Sequence, residues 1–229
     1  MLDHGAGTGA LTSALLNRFP TIEITALDPS RAMLARLPTN VGALTDRVDA
    51  VVGTVCDLRD RSFDLVCSQL AFMFVGDSGD ELRRLRLLAA SDATVCITVL
   101  GDPDGVVPFS AYWRAAASVI DGLAAPEQYP HVRFANPDPL AAAITASGWS
   151  VPIVSTIECW RELDAEDLWH WVSGALPLRR SDGTSVAGVS PTVQHAIREQ
   201  LLAAVAPHEV GEGRYRLPVH GTLLRATAT

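Results

Sequence analysis

Apolar residues recur along the first hundred positions in two alternating rhythms. "ALTSALLNRF" (10–19) carries them at helical spacing, and "IEITALD" (22–28) is a β-rich run that ends in an acid. "PSRAMLARL" (29–37) returns to helical spacing with proline at its first position, where a missing N–H costs nothing. A short strand near 48–53, an apolar run at 63–75, a helix at 81–90 and a strand at 93–100 complete the series. Near-continuous apolar strands alternating with helices predict a doubly wound α/β fold, a parallel sheet with helices on both faces.

Beyond residue 100 the pattern loosens. A turn-rich stretch (101–113) enters a helix around 110–124. A helix at 138–148 is stopped by Gly148, a strand follows at 149–160, and 164–174 is helical. Ser190 and Pro191 open a helix at 190–206, and 214–227 reads as a final strand or hairpin. With no repeats or low-complexity linkers, residues 1–229 are expected to form one domain.

Composition narrows the function classes. The net charge of −8 argues against nucleic acid or an anionic membrane as the main partner. No apolar run is long enough to span a bilayer and no signal-peptide pattern opens the chain, so a cytoplasmic protein is expected. All 18 basic residues are arginine, which excludes a Schiff-base or P-loop lysine. The four cysteines are widely spaced without a CxxC pair and are expected to be buried free thiols. No metal-ligand cluster, Ser-His-Asp pattern or close carboxylate pair stands out, so no catalytic residue is assigned.

The chemistry concentrates at "LDHGAGTGAL" (2–11), where a strand turns into a helix. Glycines there let the backbone approach a ligand, and the helix N-terminus offers unpaired N–H groups with a partial positive charge. The stretch satisfies the dinucleotide fingerprint G-x-G-x-x-G/A through Gly5, Gly7 and Ala10, a weak match by itself. Asp3 discriminates between ligands. A carboxylate at the strand end repels a diphosphate and suits a ligand carrying an ammonium and a sulfonium. Asp28, at the end of the second strand, is placed to accept both ribose hydroxyls and also to cap the next helix. The ribose-bearing cation that fits is S-adenosylmethionine.

"LDHGAGTG", "ALDPSRAML" and "GTVCDLRDRSFDLVCSQLAFMFV" closely resemble, in order, the motifs of class I S-adenosylmethionine-dependent methyltransferases, nearest to the ubiquinone/menaquinone-biosynthesis-like small-molecule type. The resemblance covers about residues 2–100 and implies a Rossmann-like seven-stranded sheet of order 3-2-1-4-5-7-6, its last strand antiparallel and formed by 214–227. It implies a cofactor-binding half (1–100) and an acceptor-binding, sheet-completing half (101–229). Asp3, Gly5, Ala6, Gly7 and Gly9 would line the methionine end of the cofactor. Asp28 would hold the ribose, and Pro29 and Met33 would flank the adenine. Thr54 stands where the family commonly has an acid toward the adenine amino group, with Val55 and Cys56 as adenine-wall residues and Asp57 as a loop or cap residue. Ser68 and Gln69 would approach the transferring methyl.

Met1 falls inside the first strand, leaving about three residues where five or six are usual. The first strand is therefore expected to be truncated and the cofactor site weaker and more exposed than in a longer relative.

Methyl transfer from a sulfonium is an in-line displacement that mainly needs alignment and exclusion of water. Candidates for the acceptor pocket are Phe109, Tyr112, Trp113, Tyr129, His131, Trp169 and His220, which hint at a small hydrophobic or aromatic methyl acceptor. Trp149 is expected in the core, and His170 to face away from Trp169 and Trp171. Two rival readings stand beside this one: a non-catalytic methyltransferase-like binding or partner subunit, and a nicotinamide-dependent oxidoreductase.

Overall fold

The computed structural model describes residues 1–58, 61–102 and 105–229. The chain folds into two compact units, one formed by 1–99, 137–155 and 222–229, the other by 100–136 and 156–221.

In the first unit, β1 (Leu2–His4) lies between β2 (Ile24–Asp28) and β4 (Phe63–Gln69), with β3 (Val48–Val52) beyond β2 and β5 (Ala89–Leu100) beyond β4. Pairing through this series is parallel. The sheet is completed by β10 (Gly221–Thr227), which is antiparallel, and β6 (Ile153–Ile157) at the edge, giving the order β3-β2-β1-β4-β5-β10-β6. This is the expected order, with β10 as the seventh strand.

The register places Asp3 beside Ala26 on one side and Cys67 on the other, and Cys67 beside Cys96. Chain direction across the sheet reverses at β1, so the C-terminal ends of β1, β2 and β4 open onto the crevice where such sheets bind ligands. Helix α1 (Ala10–Arg18) and helices α2 (Arg31–Leu34) and α3 (Leu37–Val41) bury Leu16, Leu34, Leu37 and Val41 with Ala6, Ile24 and Ala26. Elsewhere α4 (Ser78–Leu87) packs with α6 (Asp138–Ala146), burying Leu82, Leu85, Leu140 and Ile144. Trp149 is 2% exposed, and its indole N–H donates to the Leu82 carbonyl at 3.3 Å.

In the second unit, α5 (Val107–Ala117), α7 (Ala165–Ala175) and α8 (Pro191–Val205) share a core with a three-stranded antiparallel sheet. That sheet has the order β7 (Trp160–Asp164), β9 (Arg214–Pro218), β8 (Glu209–Gly211).

Four expectations are corrected here. The 214–227 run is two strands in two sheets, because Val219 and His220 break it: the His220 N–H donates to the Gly105 carbonyl and its own carbonyl accepts from Gly101. The 149–160 run divides likewise into β6 and the start of β7. Pro29 is not the first helical residue of 29–37; Ser30 caps α2, accepting the Met33 N–H at 3.3 Å, and the helix lasts only four residues before α3 begins. The cysteines are free, but only Cys67 is buried; Cys96 is partly exposed and Cys56 and Cys159 are exposed.

Candidate active site

The glycine turn is shaped by what its backbone must do. Gly5 sits at φ +75° in close approach to the loop after β4: a Cβ there would lie 2.2 Å from Ala71 Cβ. Gly9, at φ +87°, is the N-cap of α1 and supplies no side-chain cap, so the helix start is left bare toward the crevice. The turn is tied to β2, since Gly5 and Ala6 donate to the Leu27 carbonyl at 2.8 and 3.0 Å. The Gly7 N–H donates to Asp28 Oδ2 at 2.8 Å, and Asp28 Oδ1 accepts the Ser30 N–H at 2.8 Å. Asp28 thus fixes both the glycine turn and the entry to α2, and each oxygen keeps a lone pair for a ligand hydroxyl.

Asp3 is 1% exposed, and its Oδ2 accepts the Thr12 hydroxyl at 2.6 Å. Burial pushes its pKa above the ordinary carboxylate value, the hydroxyl and backbone N–H of Thr12 oppose that, and the Asp28 charge adds to it. Two carboxylates therefore share one small region, an arrangement that a cation relieves.

Two cavities border the turn, and Gly5 lines both. One, of about 330 Å³, is lined by Asp3, Ala6, Gly7, Thr8 and Gln69 among others. The other, of about 450 Å³, is lined by Asp28, Pro29, Gly53, Thr54, Phe74, His4 and Glu81 among others. Leu70, which lines the first, has φ +54°, a left-handed backbone rare for leucine.

Of the residues expected at a cofactor, Asp3, Gly5, Ala6, Gly7, Asp28, Pro29, Thr54 and Gln69 are brought to these cavities. Gly9 packs behind the turn against Leu37. Met33 is 48% exposed and does not line either cavity, because the short α2 turns it outward. Val55 is buried, Cys56 accepts from Arg84 at 3.1 Å on the outer surface, and Asp57 is a cap residue, its Oδ2 accepting the Thr54 N–H at 2.8 Å and hydroxyl at 3.2 Å. Ser68 is 1% exposed and bonds to His4 Nδ1 at 3.2 Å. His4 Nε2 in turn meets Glu81 Oε1 at 2.7 Å. Sequence reasoning placed His4 in the packing, and it does lie 6.0 Å from the Phe72 ring, yet it also faces the larger cavity together with Glu81. Its only sequence signal is a polar residue where a buried strand should be apolar.

The second unit holds a cavity of about 70 Å³ lined by Phe109, Trp113, Tyr129, His131, Ser110 and Arg114 among others. Trp113 Nε1 donates to the Ala124 carbonyl at 3.0 Å, and the Tyr129 hydroxyl accepts the Arg179 N–H at 3.1 Å, so both rings are held in place. His131 lies 5.6 Å from the Tyr129 ring and 6.2 Å from Phe109; burial, then the Arg179 charge, lowers its pKa and keeps it neutral. Tyr112 is instead a core residue in edge contact with Trp169, 5.9 Å between centroids, and neither lines the cavity. His220 accepts the Cys159 N–H at 3.2 Å and stands edge-on to Trp160, likewise outside the cavity. His170 is exposed on α7 and bonds the Glu166 carbonyl at 3.0 Å, away from the tryptophans as expected.

A family profile described as "Methyltransferase domain" matches residues 1–88. The malonyl-[acyl-carrier protein] O-methyltransferase of Geobacter sulfurreducens is 31% identical over 150 residues, 65% of this chain and 55% of that protein. The YcgJ protein of Bacillus subtilis superposes with a TM-score of 0.59 at 14% identity, covering 99% of this chain and 90% of that one. Residues 1–88 are thus similar to a methyltransferase domain, and the sheet order is that of the Rossmann-like methyltransferase fold. A phosphoethanolamine N-methyltransferase of Haemonchus contortus, crystallised with phosphomonomethylethanolamine and S-adenosylhomocysteine, has the same fold at a TM-score of 0.55 and 14% identity, with 100% of this chain and 48% of that chain covered. The chain spans about half the length of the curated relatives it matches.

The methyltransferase-domain match supports S-adenosylmethionine as the cofactor, and the crevice fits it. The uncapped N-terminus of the nine-residue α1 suits the ligand's carboxylate, the buried Asp3 its positive groups, and Asp28 its ribose. No described helix is long and apolar enough to cross a membrane.

Proposed function

We propose that this chain transfers a methyl group from S-adenosylmethionine to a carboxylate carried on a small apolar acyl or aromatic molecule. The carrying observation is the pair of carboxylates around the glycine turn: Asp3 at 1% and Asp28 at 9% exposure, flanking an uncapped helix start. When bound, the cofactor supplies a methyl already activated by its sulfonium. Asp28 would accept the ribose hydroxyls through its remaining lone pairs while it holds the Gly7 and Ser30 N–H groups. Asp3 would offset the ligand's positive charge and the start of α1 would receive its carboxylate; Gln69 borders the same cavity. Pro29, Gly53, Thr54 and Phe74 line the cavity that would take the adenine.

The second unit by itself holds an apolar cavity walled by Phe109, Trp113, Tyr129 and His131, with Arg114 in its lining, which suits an acyl or aromatic group that carries a carboxylate. A carboxylate oxygen is itself a nucleophile and needs no general base. The relatives' named reaction, O-methylation of malonyl-[acyl-carrier protein], supports a carboxylate acceptor.

The test supplies methyl-labelled S-adenosylmethionine with malonyl-[acyl-carrier protein], small aromatic acids and phenols. Label released by mild base, as from a methyl ester, is expected from the acids. Labelling of phenols alone overturns the carboxylate assignment. Cofactor binding with no transfer to any acceptor supports a binding subunit instead.

A further inference from the structure

One row of the seven-stranded sheet carries residues that the methyl-transfer reading does not use. The register runs Ala26, Asp3, Cys67, Cys96 across β2, β1, β4 and β5, so the two cysteines are direct neighbours on adjacent parallel strands, on the same face. Such neighbours lie about 4.8 Å apart between strands, inside the span that a disulfide bridges. Both thiols are free, Cys67 buried and Cys96 partly exposed.

We propose that Cys67 and Cys96 form a redox-modifiable dithiol, Cys96 the reactive thiol and Cys67 the resolving one, whose closure to a disulfide weakens cofactor binding. The surroundings divide the roles. The Cys67 thiol donates a hydrogen bond to the Cys96 sulfur, which lowers the Cys96 pKa to about 7 against the opposing effect of burial; Arg225 on β10 adds in the lowering direction. The same bond, with burial, pushes Cys67 up and keeps it protonated. A thiolate fraction near neutral pH and partial exposure are what a reactive cysteine requires.

The oxidant is hydrogen peroxide. The Cys96 thiolate attacks one peroxide oxygen, the O–O bond breaks, and Cys96 becomes a sulfenic acid while hydroxide leaves (water, from hydrogen peroxide, once it takes up a proton). The Cys67 sulfur then attacks the Cys96 sulfur, the S–O bond breaks, and the hydroxyl departs as water with the Cys67 proton. Two thiols have lost two electrons to the peroxide. Disulfide Cβ atoms sit about 3.8 Å apart, closer than the strand spacing, so closure draws β4 toward β5 at the residue paired on its other side with Asp3. Ser68 and Gln69 follow directly. This second half of the proposal rests on the cofactor reading; formation of the disulfide does not.

The test treats the reduced chain with hydrogen peroxide and maps tryptic peptides by mass. Cys67 falls in peptide 62–83 and Cys96 in 87–114, so an intramolecular bond joins two separate peptides. The joined pair is expected, reversed by dithiothreitol and lost in Cys96→Ser. Cys67→Ser should leave a sulfenic acid on Cys96 that dimedone traps. Over-oxidised Cys96 without the joined pair, or bonds only through Cys56 or Cys159, overturns the proposal. Calorimetry with S-adenosylhomocysteine should show several-fold weaker binding to the oxidised than to the reduced chain. Equal affinities overturn the coupling, whereas a reduced chain that binds none overturns the cofactor reading and leaves the peptide map standing.

Discussion

Asp3→Asn tests the electrostatic core of the site with little change of shape. The amide oxygen can still accept the Thr12 hydroxyl, now 2.6 Å from Oδ2, so packing is retained while a 1% exposed charge is removed. For a sulfonium about 6 Å from that charge, at an effective dielectric of about 20, the lost attraction is roughly 2.8 kcal/mol, or about a hundredfold in affinity. S-adenosylhomocysteine has the same ammonium and carboxylate but a neutral sulfur. The variant should therefore lose far more affinity for the methionine form, and the ratio of the two dissociation constants is the readout.

Stability gives an independent check with a defined sign. The folded pKa of Asp3 lies above its ordinary 3.8, so the folded chain favours the protonated acid; that advantage is full below 3.8 and is lost as pH rises through the folded pKa. Wild type should therefore gain on Asp3→Asn in thermal stability as pH falls, while at neutral pH the variant is at least as stable. Equal losses of affinity for the two ligands, or unchanged binding of the sulfonium form, would refute the reasoning.

Asp28→Ala removes the acceptor of two backbone N–H groups as well as the ribose contact, so both ligands should weaken alike, and denaturant titration should show a loss on the order of 3 kcal/mol. Gly5→Ala forces a Cβ to 2.2 Å from Ala71 at positive φ and should cost at least about 2 kcal/mol; adding Ala71→Gly should restore part of this, since it relieves the contact but not the backbone. His131 should titrate below 6.5 by NMR, and its contribution to stability should be lost as pH falls below 6.5, where the unfolded chain takes up a proton that the buried ring resists.

The order of the sheet was legible because the strands from β1 to β5 are apolar runs separated by helical spacing. Membership of the later strands was not. Val154 on β6 is 45% exposed and Trp160 on β7 is 52% exposed, so hydrophobicity could not say which sheet each joins. The turn was legible because positive φ at Gly5, Gly7 and Gly9 leaves little choice of residue. Met33 falls outside the cavities because helical spacing does not reveal where a four-residue helix ends, nor which way its side chains then point; Val55 and Cys56 lie on a separate one-turn helix, 55–57, that the same spacing does not reveal. His4 and Glu81 escaped because their contact joins residues 77 apart in sequence, a partnership that only the register of β1 and the position of α4 create. In the second unit, aromatic content pointed to a pocket but could not separate Phe109, Trp113 and His131, which line one, from Tyr112 and Trp169, which fill the core.

The same glycine spacing serves loops that cradle linked phosphates, and the hydrogen bonds decide what this turn does. A phosphate-binding loop presents its N–H groups outward. Here Gly5 and Ala6 donate to Leu27, Gly7 donates to Asp28, and Gly9 donates back to the Ala6 carbonyl. Four of the turn's donors are spent within the protein, and the receiving side chain is itself an anion. What the turn offers a ligand is the bare start of α1 for one carboxylate and two acids for everything positive. A zwitterion with an additional cation is complementary to that pattern at each end, whereas a diphosphate would meet two negative charges with most of the nearby donors already committed.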